Sequence, residues 1–291
     1  MATLAKTVVA TGASSGLGFE AIKQLLGQGR PYKFILGARD TARTQAAYDE
    51  LKFDTGKHSI DILPLELSNL KGVKTFAQQT LSKLGNEKLD YLFLNAGMIS
   101  GAEGPGPNGS KWCEAYVVNH LSQHYLMHLI KEKLMASKSR VVVVSSGAVR
   151  NVPDTSVLEK DLKAGAGTAD RVVYCETKFV QLLGAHWWRR ELKGKCDIVA
   201  VSPGLIPNTG LARNSTMKLT VDMPDAKTVP EGAASLLLAF TKDDFPEDPD
   251  QIFLTSWGEW WSKDVIANSL DKELQEKWTP GLEQIEKEEG I

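Results

Sequence analysis

The 291-residue sequence predicts a single doubly wound α/β domain built on a parallel sheet of about seven strands. Three observations carry this expectation. Short β-branched or apolar runs alternate with stretches whose apolar residues recur at helical spacing. The runs are apolar throughout, as strands covered on both faces require, and the four consecutive valines Val141 to Val144 are the strongest case. The first run passes through a glycine-rich turn directly into a helix, the arrangement that opens a strand–turn–helix phosphate site. At about 150 residues per domain the length allows two units, but the unbroken alternation favours one.

Taken in order, residues 7–10 form the first expected strand. Leu17, Ala21, Ile22, Leu25 and Leu26 then fall on one helical face, and Gly27 and Gly29 end the helix. Residues 32–36, 60–65 and 91–94 read as the next three strands, with helical stretches near 41–53 and 73–84 between them. Residues 141–144 and 198–201 supply two more, separated by a long helical stretch. Thr228 and Glu231 have capping-box spacing ahead of the apolar run 233–240, and residues 252–254 form a last short strand. Two segments break the alternation, 150–172 and 206–227. Each follows a strand, so both leave from the sheet end where ligands bind, and both are expected to shape a substrate pocket. Their Val152, Pro153, Val157 and Leu158, and Leu205, Leu211, Met217, Leu219 and Met223, predict a hydrophobic, medium-sized or polycyclic substrate.

Composition narrows the function classes. A net charge of -2 gives no electrostatic footing for nucleic acid or an anionic membrane. Cys113, Cys175 and Cys196 are too few and too scattered for a disulfide framework, which suits a reducing compartment. The apolar stretch from Val8 is cut short by Gly12, so the N-terminus reads as neither signal peptide nor spanning helix, and a cytoplasmic protein is expected.

Two groups of residues carry chemistry in their own right. In Thr11-Gly12-Ala13-Ser14-Ser15-Gly16-Leu17-Gly18, glycine permits a tight turn and close approach of a pyrophosphate, and the free amides at the helix start favour its charge. Tyr174 and Lys178, four residues apart on a helix, share a face. A neighbouring ammonium favours the phenolate, so the tyrosine is expected to have a lowered pKa and to move protons near neutral pH.

The spacing Thr-Gly-x-x-x-Gly-x-Gly, with Asn95-Ala96-Gly97, Asn119, Ser145-Ser146, Tyr174-x-x-x-Lys178 and Ser202-Pro203-Gly204 each at the right point of the strand order, resembles the short-chain dehydrogenases/reductases over residues 7–278. That resemblance implies a Rossmann-like fold and hydride transfer between nicotinamide and a carbonyl or alcohol. It assigns Tyr174 as general acid/base, Ser146 as the hydroxyl on the reacting oxygen, Lys178 on the nicotinamide ribose, and Asn119 as holder of a relay water; Ser145 belongs to the strand end. It further implies cofactor contacts from Gly12, Ser14, Ser15, Gly16, Leu17, Gly18, Glu66, Leu67, Asn95, Ala96, Gly97, Pro203, Gly204, Ile206 and Thr209, with Pro207 and Asn208 departing from the commoner loop pattern. After the second strand, Ala38 replaces the acid that would hold an NAD ribose and Arg39 offers a guanidinium to a 2′-phosphate, which favours NADP(H) over NAD(H); Asp40 and Ser15 argue the other way. Within the family, Tyr-Cys-x-Thr-Lys resembles the retinol dehydrogenases, and residues 203–211 with the tail at 257–278 resemble the protochlorophyllide reductase-like group. Reduction of an activated C=C bond and a non-catalytic nucleotide-binding role are the rival functions.

Other patterns read as structural. His120, His124 and His128 span about 12 Å along one helix, too far for one metal ion, and no metal is expected. Trp187 and Trp188 mark an apolar face that is either core or a subunit contact, which leaves room for a homodimer. Cys175 points about 100° away from Tyr174 and is expected to be packed. The acidic stretch 286–289 is expected to be solvated.

Overall fold

The computed structural model describes residues 4–207, 209–213, 215 and 219–291. Seven parallel strands run in the order β3-β2-β1-β4-β5-β6-β7: β1 Lys6–Thr11, β2 Tyr32–Ala38, β3 Ser59–Pro64, β4 Tyr91–Leu94, β5 Arg140–Val144, β6 Asp197–Val201 and β7 Phe253–Leu254. The expected strands are all present, shifted by at most a few residues. β1 pairs with β2 on one side and β4 on the other, so the order reverses beside β1 and opens a crevice at the strand ends.

Helices cover both faces, which is why the strands are apolar throughout. α1 Gly16–Leu26, α2 Thr41–Asp49 and, later in the chain, the helix Val229–Thr241 pack one face around Phe34, Phe93, Val142 and Val199. On the other face lie α3 Leu70–Leu84, α4 Glu114–Tyr116 running through a π-turn at Val117–Leu121 into α5 Ser122–Ser137, then α6 Leu158–Asp161 and α7 Asp170–Glu191. The helix Val229–Thr241, α8, opens on the Thr228–Glu231 capping box the sequence signals.

Asp40, which seemed to weigh against a 2′-phosphate, caps α2 and accepts from the Arg43 amide at 2.9 Å. The insert after β5 is less loop-like than its sequence suggests. Of the residues expected to line a pocket there, Val152 and Leu158 are buried in the core cluster beside Leu162, Pro153 is exposed and Val157 half-buried, and none of them lines the cavity.

The C-terminal segment also differs from expectation. α9 Lys272–Lys277 and α10 Leu282–Glu289 fold back across α5 and α7. His120 and His124 meet the carbonyls of Trp278 and Pro280 at 2.9 and 3.0 Å, and Trp187 donates to Glu276 at 2.8 Å. The Trp187–Trp188 face is therefore covered by the chain's own tail. The acidic stretch is anchored too: Glu286 pairs with Lys74 and accepts from Tyr125, each at 2.8 Å, and Glu288 pairs with Lys111 at 2.8 Å. Two lysines and a phenol meet these carboxylates, so they are held and not simply solvated.

Candidate active site

The turn between β1 and α1 is shaped by backbone proximity. Gly12 has φ +65°, and a Cβ there would come within 2.6 Å of the Ala96 Cα; Gly16 has φ +57°. A Cβ on Gly18 would collide with the Gly12 carbonyl and the Asn95 amide, so Gly18 serves helix–strand packing and does not face the cavity. Ser15 caps α1 without a side-chain hydrogen bond, leaving first-turn amides for a ligand. Asn95 steadies the turn from β4, its Nδ2 donating to the Gly12 carbonyl at 2.8 Å. Tyr48, with no motif to mark it, donates its buried hydroxyl to the Ala13 carbonyl at 2.7 Å.

The cavity beyond this turn has a volume of about 1320 Å³. Sites for single drug-sized ligands run to about 1,000 Å³ at most, so there is room for a dinucleotide and a second molecule. Gly12, Ser14, Ser15, Gly16, Leu17, Arg39, Glu66, Leu67, Asn95, Ala96 and Gly97 line one end; Pro203, Gly204, Ile206 and Thr209 reach it from the loop after β6. Arg39 is exposed and lies 4.0 Å from Glu66. Asn208 and Met217 lie outside the described residues.

Ser146, Tyr174 and Lys178 line the same cavity. Ser146 follows β5 and caps a 3₁₀ segment, Gly147–Asn151, by accepting from the Ala148 amide at 3.1 Å. The Tyr174 hydroxyl is hydrogen-bonded to Ser146, which favours the phenolate, but burial outweighs that bond and raises the tyrosine pKa above its ordinary value. The expected depression by Lys178 is not found. The Lys178 ammonium is turned into the protein, donating to the Val144 carbonyl at 2.8 Å and Gln181 Oε1 at 3.1 Å, and burial lowers its pKa to about 7. Gln181, one turn beyond Lys178, is thus a positioning residue that motif reading misses, because nothing in the sequence ties it to the lysine except i, i+3 spacing. Ser202, which opens the Ser202-Pro203-Gly204 motif, is given a role only by the structure: its hydroxyl accepts from the Gly147 amide at 3.1 Å and ties the end of β6 to the serine segment.

Asn119 sits in the π-turn, fully buried and off the cavity wall. Its Oδ1 accepts from the Met98 amide at 2.8 Å, and its Nδ2 donates to the Met98 carbonyl and Thr177 Oγ1, each at 3.0 Å. The side chain therefore locks the segment after Gly97 to α7. Ser145 is buried with its hydroxyl toward the Lys178 carbonyl at 3.4 Å, a strand-end role.

At the other end the cavity is lined by Met98, Ile99, Val118, Leu211, Leu219, Met223, Trp257 and Trp261, and by Arg150, Asn151, Arg171 and Cys175. Cys175 is buried, burial raises its thiol pKa, and Asn151 Nδ2 lies 4.0 Å from its sulfur. All three cysteines are unpaired and buried. Among the described residues no group of three metal-ligating side chains forms a metal site, and no helix is long and apolar enough to cross a membrane.

Comparison with known proteins identifies the family. The family model described as short chain dehydrogenase matches residues 6–157, just over half of the chain. The chain is a short-chain dehydrogenase/reductase. It is 60% identical over 288 residues to short-chain dehydrogenase/reductase GME11359 of Pestalotiopsis microspora, covering 98% of this chain and 99% of that one. It is 29% identical over 239 residues to human retinol dehydrogenase 12, covering 80% and 72% respectively. Its fold is similar to that of NADPH-bound carbonyl reductase from chicken fatty liver, with TM-score 0.68, 19% identity and coverage of 89% and 95%. A Burkholderia phymatum member solved with NAD gives TM-score 0.62 at 17% identity, covering 92% and 93%. As a short-chain dehydrogenase/reductase this oxidoreductase has its fold from the family and its Ser146, Tyr174 and Lys178 facing one cavity.

Proposed function

We propose that this oxidoreductase uses NADP(H) to interconvert a carbonyl and an alcohol on a hydrophobic small molecule, with Tyr174 as general acid/base. The observation that carries the reading is the Ser146–Tyr174 hydrogen bond beside Lys178 in a cavity that also contains the glycine-rich turn. The residues fit a nicotinamide dinucleotide: the uncapped first turn of α1 suits a pyrophosphate, and Arg39 stands at the edge where a 2′-phosphate would lie. When bound, the reduced dinucleotide supplies two electrons and a hydrogen to the carbonyl carbon. Tyr174 gives its proton to the carbonyl oxygen, which completes the alcohol. Ser146 donates to the same oxygen as negative charge develops there. Burial keeps Tyr174 protonated at neutral pH, as an acid for reduction must be. Lys178, with a pKa of about 7, can both give and take a proton and so restore the tyrosine. Met98, Ile99, Val118 and Leu211 support an apolar substrate. The three buried, unpaired thiols support a reducing compartment, and we assign the protein to the cytoplasm.

The reading is tested by titrating the protein with NADPH and NADH, then following loss of reduced nucleotide against ketones, aldehydes, quinones and enones. Tighter binding of NADPH with carbonyl turnover is expected. No binding of either nucleotide, or turnover of enones alone, contradicts it.

A further inference from the structure

The substrate end of the cavity is not uniformly apolar. Arg150 and Arg171 line it, from two segments that also carry the reactive side chains. Arg150 is four residues beyond Ser146 on the 3₁₀ segment that Ser146 caps, and its Nε donates to the Gly147 carbonyl at 3.1 Å. Its guanidinium stacks over the Trp261 ring at 5.2 Å. Arg171 stands in the first turn of α7, three residues before Tyr174 and therefore near its face of the helix. Cys175 links the two segments: Asn151 lies 4.0 Å from its sulfur, and the Arg171 charge is felt at its thiol.

Neither arginine forms an ion pair among the described residues, whereas the less exposed Arg140, Arg189 and Arg190 each meet a carboxylate within 4.0 Å. The acids on the cavity wall are Glu66, which faces Arg39, and Glu114 and Asp225, which form no ion pair with either arginine. The Arg150 guanidinium is thus held by backbone and ring contacts, and both guanidiniums line the cavity that holds the reacting groups without an ion pair of their own. A planar, apolar wall is supplied by Trp261 and Trp257 next to them.

We propose that Arg150 and Arg171 form a docking pair for a carboxylate carried by an aromatic carbonyl substrate. This rests on the carbonyl-reductase reading for the placing of the reactive carbonyl at Tyr174, and it narrows the substrate from hydrophobic to amphipathic. The ring system lies against Trp261 and the apolar residues, while the fork of a guanidinium takes the carboxylate oxygens. Both arginines are exposed, and a single exposed charge pair adds little, so the selectivity has to come from two guanidiniums acting together on one carboxylate.

The test uses aryl ketone acids, from acetylbenzoic to benzoylbenzoic acid, each beside its methyl ester. Binding to the NADPH-loaded protein is read by tryptophan quenching, and reduction by loss of NADPH absorbance. The acids are expected to bind about fivefold tighter than their esters, the upper range for a solvent-exposed charge pair. That preference should shrink as salt rises from low to high ionic strength. In R150Q/R171Q the preference is expected to collapse, with R171K recovering part of it, and the melting temperature shows whether the variant is folded. Equal affinity for acid and ester, no binding of either, or a preference that survives in the folded double variant overturns the proposal. Acid-selective binding without reduction of any ketone upholds the docking pair and contradicts the carbonyl-reductase reading instead.

Discussion

Tyr174 and Lys178 lie one helical turn apart, yet each is governed by burial more than by the other. The tyrosine's pKa is raised and the lysine's is lowered to about 7, so a neutral phenol sits beside an amine poised to exchange protons. Both were legible from the sequence because their relation is local, four residues on one helix. The roles of Tyr48 and Ser202 were not, because each acts through a partner that only the folded chain brings near, and Gln181 carried no motif beyond its spacing from Lys178. Arg39 was legible by position alone, and Asp40, which seemed to oppose it, is spent on capping α2. At this scale Arg39→Ala is expected to raise the Kd for NADPH about tenfold or more, the loss of a charge-assisted bond, while that for NADH moves by less than about threefold. Equal losses for the two nucleotides in a titration would remove Arg39 from the discrimination between them.

Among the elements, the strands and main helices were readable from hydrophobic period, since each has a face or a whole strand to bury. α9 and α10 were not. They have six and eight residues, too short to be stable alone, and are held by contacts with Lys74, Lys111 and Tyr125 and, through the Trp278 and Pro280 carbonyls between them, with His120 of the π-turn and His124 of α5. His124 accepts from Trp188 Nε1 at its Nδ1, which fixes the Nε2–H tautomer that donates to the Pro280 carbonyl. Burial lowers the pKa of His120 and of His128 to about 4 and holds that of His124 well below its ordinary value. Groups depressed on folding are neutral in the folded chain while the unfolded chain takes up protons. Stability is therefore full above about pH 6.5 and falls toward pH 4, by up to about 1.4 kcal/mol per pH unit for each histidine. The tail should yield before the sheet. Hydrogen exchange at pH 5 is expected to rise across Lys272–Lys277 and Leu282–Glu289 while β1, β4 and β5 stay protected; a tail as protected at pH 5 as at pH 7.5 would contradict this.

In the whole molecule, the reversal of strand order beside β1 gathers the glycine-rich turn, the ends of β4, β5 and β6 and the start of α7 around one cavity. A parallel sheet with helices on both faces could be anticipated from the alternation, and so could the side on which the two long loops emerge, whereas the spatial order of the strands came from the folded chain. The second loop contributes Leu205, Leu211, Leu219 and Met223 to the wall as expected, but the first does not follow its sequence: Val152 and Leu158 pack into the core, and Arg150 and Arg171 line the wall. Hydrophobicity in a loop sequence marks residues that must be buried, and the core competes with the pocket for them. The central claim is that this cavity holds a working proton donor at Tyr174. It is tested most directly by Tyr174→Phe, measured by single-turnover reduction of a carbonyl substrate together with NADPH titration. Turnover is expected to fall about a thousandfold with NADPH affinity within about threefold of the parent protein. Turnover near that of the parent would contradict the account.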